Sequence, residues 1–278
     1  MMKTVTLPSG ETVSALGQGT WNIGDSRATR AEEIATLRCG LDLGLTLIDT
    51  AEMYGEGASE ELVAEALAGR RDEAFIVSKV YPHNASKRGT VQACERSLQR
   101  LKTDRIDLYL LHWRGSVPFA ETIGALQALQ AAGKIRHFGV SNLDLADMRE
   151  WIKTPGGAAV AANQILYNLT RRGPEWELIP WLRERRIPLM AYSPIEQAQL
   201  MRDVRLITFA QTHGMTPAQA ALTWLLAKDD VIVIPKASRR ERVTENAAAR
   251  EIILSAAQLT ELDQLFAPPR GPTPLEML

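Results

Sequence analysis

Apolar positions along this chain fall into two alternating patterns. Short continuous apolar runs of strand length occur at residues 16–20, 45–48, 75–77, 108–111, 138–140, 158–162, 188–191 and 231–234. Runs without polar alternation fit strands buried on both faces, as parallel strands are. Between them the spacing changes to that of helices. Val91, Cys94, Leu98 and Leu101 recur at steps of 3, 4 and 3 and share one helix face. Leu145, Met148 and Ile152 repeat that spacing, with Asn142 or Asp144 placed to cap the helix. Leu126 and Leu129 belong to another helix, which Gly133 ends. Ser59 with Glu60 and Glu61 opens a further one, its carboxylates near the positive helix end. Strand–helix alternation repeated eight times predicts a parallel sheet of the α/β class, closed into a (β/α)8 TIM barrel. Ahead of it, two β-prone runs flank Pro8-Ser9-Gly10-Glu11, which predicts a hairpin over residues 4–16.

Composition narrows the class. Lys and Arg number 32 against 33 Asp and Glu, a net charge of −1, with no long run of either sign. That balance argues against a nucleic-acid or membrane-surface partner, which would require a basic patch. Hydrophobic residues make up 45% of the 278, enough for a full core. Length alone fits two domains of about 150 residues or one barrel of about 250. Eight units occupy nearly all of it, so a single domain over 1–278 is expected. Residues 267–278 form its proline-rich C-terminal tail. The run Pro268-Pro269-Arg270-Gly271-Pro272-Thr273-Pro274 cannot be helical; it is a flexible tail or an extended flap over one end of the barrel. No apolar stretch approaches the roughly 18–20 residues of a membrane span. The start, Met1-Met2-Lys3-Thr4-Val5, lacks the apolar core of a secretory leader. Two cysteines, Cys39 and Cys94, and four scattered histidines give no metal-ligand spacing. The expectation is a cytoplasmic, monomeric protein without a metal.

In a barrel of this kind, chemistry sits at the C-terminal ends of the strands. The residues following the eight runs are Trp21, Asp49, Lys79, His112, Ser141 with Asn142, Gln164, Tyr192 and Lys236. One such side chain is often a strand cap or half of a structural pair; eight in equivalent positions point to a common site. Tyr54 follows Asp49 by five residues. A lysine ammonium near a tyrosine favours the phenolate, so Lys79 is expected to lower the Tyr54 pKa while Asp49 holds Lys79 charged. Tyr54 would then be a proton donor near neutral pH. His112 could hydrogen-bond and orient a substrate oxygen. No nucleophile–base pair of the serine or cysteine kind accompanies them, so the site is suited to protonating an oxyanion while another group supplies electrons.

The phrases Leu47-Ile48-Asp49-Thr50-Ala51-Glu52-Met53-Tyr54-Gly55, Val77-Ser78-Lys79-Val80 and Leu108-Tyr109-Leu110-Leu111-His112-Trp113 resemble the aldo-keto reductase family. So do Gly139-Val140-Ser141-Asn142, Asn163-Gln164, Ala191-Tyr192-Ser193-Pro194 and Ile234-Pro235-Lys236-Ala237-Ser238. These motifs run in order from the hairpin to about residue 265, and they are most similar to short bacterial members that reduce methylglyoxal and other small aldehydes. The resemblance implies hydride transfer from NADPH to the carbonyl of a small-molecule substrate. Tyr54 would be the acid, Lys79 and Asp49 would tune it, and His112 would orient the carbonyl. It also implies that Ser141, Asn142 and Gln164 hold the nicotinamide carboxamide and that Tyr192 stacks on its ring, with Thr20 and Ser193 among the cofactor contacts. Lys236, Ser238 and Arg242 would bind the adenosine 2′-phosphate, and Glu245 and Asn246 the adenine. Ala237 stands where many relatives have serine. Trp21 and Trp113, each just beyond a strand end, would wall the substrate pocket, which short loops at 114–118 and at the C-terminus leave open.

Two other readings stay in view. Lys79 at a strand end also fits the Schiff-base lysine of an aldolase-type barrel. Some barrels of this family are NADPH-binding regulatory subunits, against which the complete Asp49, Tyr54, Lys79 and His112 set argues. The segment Gly17-Gln18-Gly19-Thr20-Trp21-Asn22 lacks the third glycine of a Rossmann fingerprint. His83 and His213 read as surface residues and His137 as part of a strand edge.

Overall fold

Eight parallel strands form the centre of the molecule: β3 (Gln18–Gly19), β4 (Leu47–Asp49), β5 (Phe75–Val80), β6 (Ile106–Leu111), β7 (Ile135–Ser141), β8 (Asn163–Leu166), β9 (Leu189–Tyr192) and β10 (Val231–Val233). Each pairs with its neighbour in sequence order. The structure is a computed structural model that describes residues 3–278; Met1 and Met2, where the segment read for a leader begins, lie outside the described residues. Parallel bridges Leu16↔Val233 and Gly19↔Lys236 join the first strand to the last and close the ring. The closing bonds are Gly17 N–H to Val233 O at 2.8 Å and Gly19 N–H to Pro235 O at 3.0 Å. Glycine is required there: a Cβ on Gly19 would lie 2.9 Å from the Ile234 carbonyl oxygen. The (β/α)8 TIM barrel anticipated from the eight runs is the fold observed.

Helices α1 (Arg30–Asp42), α2 (Ala58–Ala66), α3 (Lys87–Leu101), α4 (Phe119–Ala131), α5 (Leu145–Lys153) and α6 (Leu178–Glu184) follow β3 to β8 in turn. Two helices, α7 (Val204–Thr212) and α8 (Pro217–Leu226), fill the connection after β9; α9 (Arg240–Ala248) and α10 (Ala256–Leu265) follow β10. Local sequence accounts for several starts. Of the two caps the spacing allowed, Asp144 is the one that caps α5, accepting from the Asp147 N–H. Ser255 and Thr216 form capping boxes with Gln258 and Gln219. Helix α2 instead begins after Gly57 in a left-handed conformation. Ser59 and Glu60 there are buried inside the fold rather than serving only the helix dipole.

The hairpin pairs β1 (Thr4–Thr6) with β2 (Thr12–Ser14) in the register Val5↔Val13. It lies across the N-terminal end of the strands: Glu11 meets Arg136 and His137 at the start of β7, and Lys3 donates to the Leu226 and Lys228 carbonyls ahead of β10. That end is therefore covered, leaving the opposite rim for chemistry. His137 sits within a central strand, paired to Leu108, rather than at a sheet edge. The sixth apolar run is displaced from its expected place. Residues 158–162 begin in a one-turn helix over Gly157–Ala159, and the strand is Asn163–Leu166. Ala158 and Ala159 are exposed, and alanine has little side chain to pack on a sheet. The shift carries Gln164 into the strand itself. Among the described residues no helix is long and apolar enough to cross a membrane, and no three His, Cys, Asp or Glu side chains converge to hold a metal.

Close packing between neighbouring strands limits what the barrel wall tolerates. A Cβ on Gly139 of β7 would meet the Ala162 carbonyl oxygen at 2.7 Å and Leu110 Cδ2 at 2.8 Å. Gly139→Ala should destabilise by about 1–3 kcal/mol through overpacking. Gly124→Ala, on α4 with nothing within 4 Å of the new Cβ, should stabilise by about 0.5–1 kcal/mol. Urea unfolding checks both; equal midpoints for the two variants would contradict this account of the wall.

Candidate active site

Side chains alternate along a strand, and β5 uses both directions. Ser78 points outward and donates to Glu60 Oε1 on α2 at 2.6 Å, while Glu60 Oε2 accepts from Arg100 on α3 at 2.6 Å. Lys79 therefore points into the barrel. It is fully buried, and its Nζ lies 2.9 and 2.8 Å from the two Asp49 carboxylate oxygens, 2.8 Å from the Thr50 carbonyl oxygen and 3.2 Å from the Tyr54 hydroxyl. An ammonium has three donors and no acceptor; here one goes to the carboxylate, one to Thr50 and one to Tyr54. The Tyr54 oxygen accepts from Lys79, so its own proton is free to point elsewhere, and the open direction is the cavity that Tyr54 lines. All three N–H bonds of the amine are engaged and Lys79 does not line the cavity, an arrangement unsuited to a Schiff-base nucleophile.

The charges depart from expectation in one respect. Burial, then the Asp49 carboxylate, pushes the Tyr54 pKa well above 10; Lys79 does not lower it overall. Burial also lowers the Lys79 pKa, against the upward pull of Asp49. Both partners of Tyr54 were foreseen, but desolvation outweighs the nearby ammonium. Tyr54 keeps its proton through the neutral range and beyond.

His112 follows β6 and meets Tyr54 edge-on, with ring centroids 5.9 Å apart. Burial, then the Lys79 charge, lowers its pKa well below 6.5, so the ring is neutral at pH 7. Its Nδ1 is buried with no hydrogen-bond partner among the described residues. A lone pair left unpaired is less costly than an unpaired N–H, which favours the tautomer carrying its proton on Nε2. His112 is then a neutral hydrogen-bond donor.

These groups open on a cavity of about 530 Å³ at the C-terminal rim. Of the residues singled out from sequence, Thr20, Trp21, Asp49, Tyr54, His112, Trp113, Ser141, Asn142, Gln164, Tyr192, Ser193 and Lys236 line it. Ser238, Arg242, Glu245 and Asn246 do not; Ser238 lies just ahead of α9 and the other three within it. Several of the lining polar groups are already bonded to one another. The Thr20 hydroxyl donates to the Asp49 carbonyl at 2.9 Å. Ser141 Oγ donates to the Gln164 carbonyl at 2.9 Å, and Asn142 Nδ2 to the His112 carbonyl at 3.2 Å. The Tyr192 hydroxyl donates to Asn142 Oδ1 at 3.0 Å. Burial raises the Tyr192 pKa to about 12, so it remains a donor.

The donor set suits a dinucleotide phosphate. Amide and hydroxyl groups (Ser141, Asn142, Gln164) sit beside the Tyr192 ring at the end of the cavity that holds Tyr54 and His112. At the other end, Lys236, Arg239 and Arg240 are exposed and make no ion pair among the described residues, where α9 begins without a side-chain cap. An uncapped helix start with free cations fits a phosphate. Arg242, by contrast, is paired with Glu245 at 2.7 Å.

Part of the cavity wall went unnoticed in the sequence. Met53 could have been read from its place beside Tyr54. Residues 195–198 could not: Glu196, Gln197 and Ala198, like Ser193 before them, have positive φ, which no local composition signals. Buried Glu196 fixes this loop by accepting from Arg171 Nη2 at 2.6 Å and Asn168 Nδ2 at 2.7 Å. The C-terminal segment is the flap of the two alternatives considered. Trp176 Nε1 donates to the Pro269 carbonyl at 2.8 Å, Glu276 pairs with Arg171, and Met277 and Leu278 line the cavity.

Comparison with known proteins agrees with this geometry. The model of the Aldo/keto reductase family matches residues 15–267. Methylglyoxal reductase YeaE of Escherichia coli strain K12 is 47% identical, with 99% of each chain covered. Glyoxal reductase of Bacillus subtilis strain 168 is 33% identical over 99% of this chain and 97% of that one. An aldo/keto reductase from Klebsiella pneumoniae, solved in complex with NADP and acetate, superposes with a TM-score of 0.97 at 46% identity over the full length of both.

The buried Lys79–Asp49 pair makes a prediction that does not depend on turnover. Lys79→Met should cost about 3–5 kcal/mol because it leaves a buried carboxylate without its counter-charge. The double variant Lys79→Met/Asp49→Leu should recover part of that loss. Urea denaturation measures it; a double variant less stable than the single one would show that the pair is not the source.

Proposed function

The chain belongs to the aldo/keto reductase family, and from that premise we propose that it uses NADPH to reduce small aldehydes and ketones, methylglyoxal and glyoxal among them, to alcohols. The observation carrying the catalytic assignment is the direction of the Lys79–Tyr54 hydrogen bond, which leaves the Tyr54 proton aimed at the cavity. Relatives named methylglyoxal reductase and glyoxal reductase, similar over nearly the whole chain, support the substrate class. We read the partner as a small carbonyl molecule and the enzyme as a cytoplasmic monomer without nucleic-acid or membrane partners. A net charge of −1 supports the absence of a nucleic-acid partner. Sedimentation velocity tests the monomer, and a species heavier than one chain would overturn it.

Bound NADPH supplies a hydride to the carbonyl carbon. Ser141, Asn142 and Gln164 would hold its carboxamide, with Thr20 and Ser193 close by and Tyr192 against the ring. Lys236 and Ser238, with Arg239 and Arg240 beside them, would take the 2′-phosphate. Arg242 would join them only by leaving Glu245, and Glu245 and Asn246 would face the adenine. The substrate carbonyl oxygen lies between His112 Nε2 and the Tyr54 hydroxyl, with Trp21 and Trp113 as walls. His112 donates a hydrogen bond that fixes the oxygen and polarises the carbonyl. As negative charge develops on that oxygen, Tyr54 transfers its proton to it and the alcohol forms. The phenolate left behind sits 3.2 Å from the Lys79 ammonium, which stabilises it in surroundings of low dielectric. The raised Tyr54 pKa keeps the acid loaded; Lys79 contributes once the proton has left.

Tyr54→Phe should lower kcat for methylglyoxal reduction by about 10²–10⁴-fold while NADPH still binds, as followed by fluorescence titration. Turnover within a factor of a few of wild type would remove Tyr54 as the acid. Because the His112 pKa lies well below 6.5, protonation of this ring begins only at more acid pH. A kcat/KM profile for reduction should therefore show no inflection between pH 8 and about 6; a break near 6.5 assigned to His112 would contradict its neutral, buried state.

A further inference from the structure

We propose that Gln164 is a positioning residue for the proton donor: its side-chain amide orients Asp49 and links the nicotinamide end of the cavity to the Lys79–Tyr54 pair. The inference rests on the reductase reading above and assigns Gln164 a role beyond holding the cofactor.

Gln164 stands on β8 and Asp49 on β4, four strands apart in a ring of eight. Their side chains meet across the barrel interior, Gln164 Nε2 lying 2.7 Å from Asp49 Oδ1, and both residues are almost fully buried. Asp49 is thus held from two sides, by Lys79 on the adjacent strand and by Gln164 on the opposite wall. A carboxylate can only accept, so the atom facing it is the amide nitrogen, and the orientation of the whole amide follows. Oε1 is left without a hydrogen-bond partner among the described residues, on a side chain that lines the cavity. It is free to accept an N–H from a carboxamide. One rigid amide would then touch both the cofactor and the carboxylate behind the acid.

The groups facing this pair are few. Lys79 comes from β5, Tyr54 from the loop after β4 and His112 from the end of β6, while Glu60 on α2 acts on Lys79 from behind Ser78. Among them, Gln164 is the neutral donor that offsets the Asp49 charge. Without it, more of that charge is felt at Tyr54, which gives up its proton less readily.

The test uses alcohol oxidation with NADP+, for which Tyr54 must be deprotonated. In Gln164→Leu, the ascending limb of kcat/KM should move to higher pH by about half a unit or more, a roughly threefold loss at a fixed pH on the limb. Gln164→Glu, which sets a second carboxylate against Asp49, should move it further in the same direction. NADPH affinity, read by fluorescence in the same variants, reports the carboxamide contact separately. A limb at the same pH in all three proteins, with only NADPH affinity changed, would overturn the proposal and leave Gln164 a cofactor contact alone. Thermal unfolding of Asp49→Asn, Gln164→Leu and the double variant without cofactor reads the contact independently of turnover. Non-additive Tm shifts are expected, and additive ones would overturn it. If the wild-type protein turned over no carbonyl or alcohol, the reductase reading itself would fall.

Discussion

A buried ammonium paired with a buried carboxylate is the constraint around which this barrel is organised. Each ion alone would be strongly disfavoured in the interior, and the pair is tolerated only when the remaining donors and acceptors are satisfied. Here they are: Lys79 engages Asp49, Thr50 and Tyr54, and Asp49 also accepts from Gln164. That requirement fixes the heights of β4, β5 and β8 relative to one another. It also fixes where Tyr54 must stand, since its oxygen receives the third N–H of the ammonium.

The fold supplies this arrangement through two layers of contacts on β5. Inward, Lys79 reaches the reacting end of the barrel. Outward, its neighbour Ser78 is bonded to Glu60, which Arg100 neutralises from the next helix. A slip of one residue would exchange the faces and place an ammonium among helices already carrying that ion pair. Register here is thus specified from both sides. The hairpin contributes differently: by covering the N-terminal end of the strands, it leaves the C-terminal rim as the accessible opening.

Much of this was legible because the barrel repeats. Eight apolar runs marked the strands, and the polar residues within two positions of each run's end include Asp49, Lys79, His112, Asn142 and Tyr192. Composition misleads at one stretch. The alanine-rich stretch at 158–162 looked like a strand but is partly exposed, and Gln164 proved to lie within β8 rather than beyond it. Sequence is equally insufficient where a sign depends on burial. Proximity of Lys79 to Tyr54 was inferable from adjacent strands, but whether the phenol pKa rises or falls depends on how far desolvation and Asp49 outweigh the ammonium. Neither quantity is visible in a string of residues.

The cavity wall shows the same boundary between local and distant causes. Residues 193–198 hold four non-glycine positions in left-handed conformations, each unfavourable for a residue with a side chain. Nothing in that stretch favours such a backbone. It persists because Glu196 is buried against Arg171 and Asn168, and Arg171 in turn engages Glu276 in the C-terminal flap. One guanidinium thus ties the loop beside the cavity to the segment that carries Met277 and Leu278 into it. Asp49 and Lys79 stand on strands, and Tyr54 and His112 in the segments that follow strand ends, whose positions the repeat dictates, whereas the part of the wall formed by loop and flap depends on an ion pair spanning about a hundred residues. In this barrel, then, the grouping of Asp49, Tyr54, Lys79 and His112 is a property of the fold, while this part of the pocket's shape is a property of contacts between segments that the repeat leaves unconstrained.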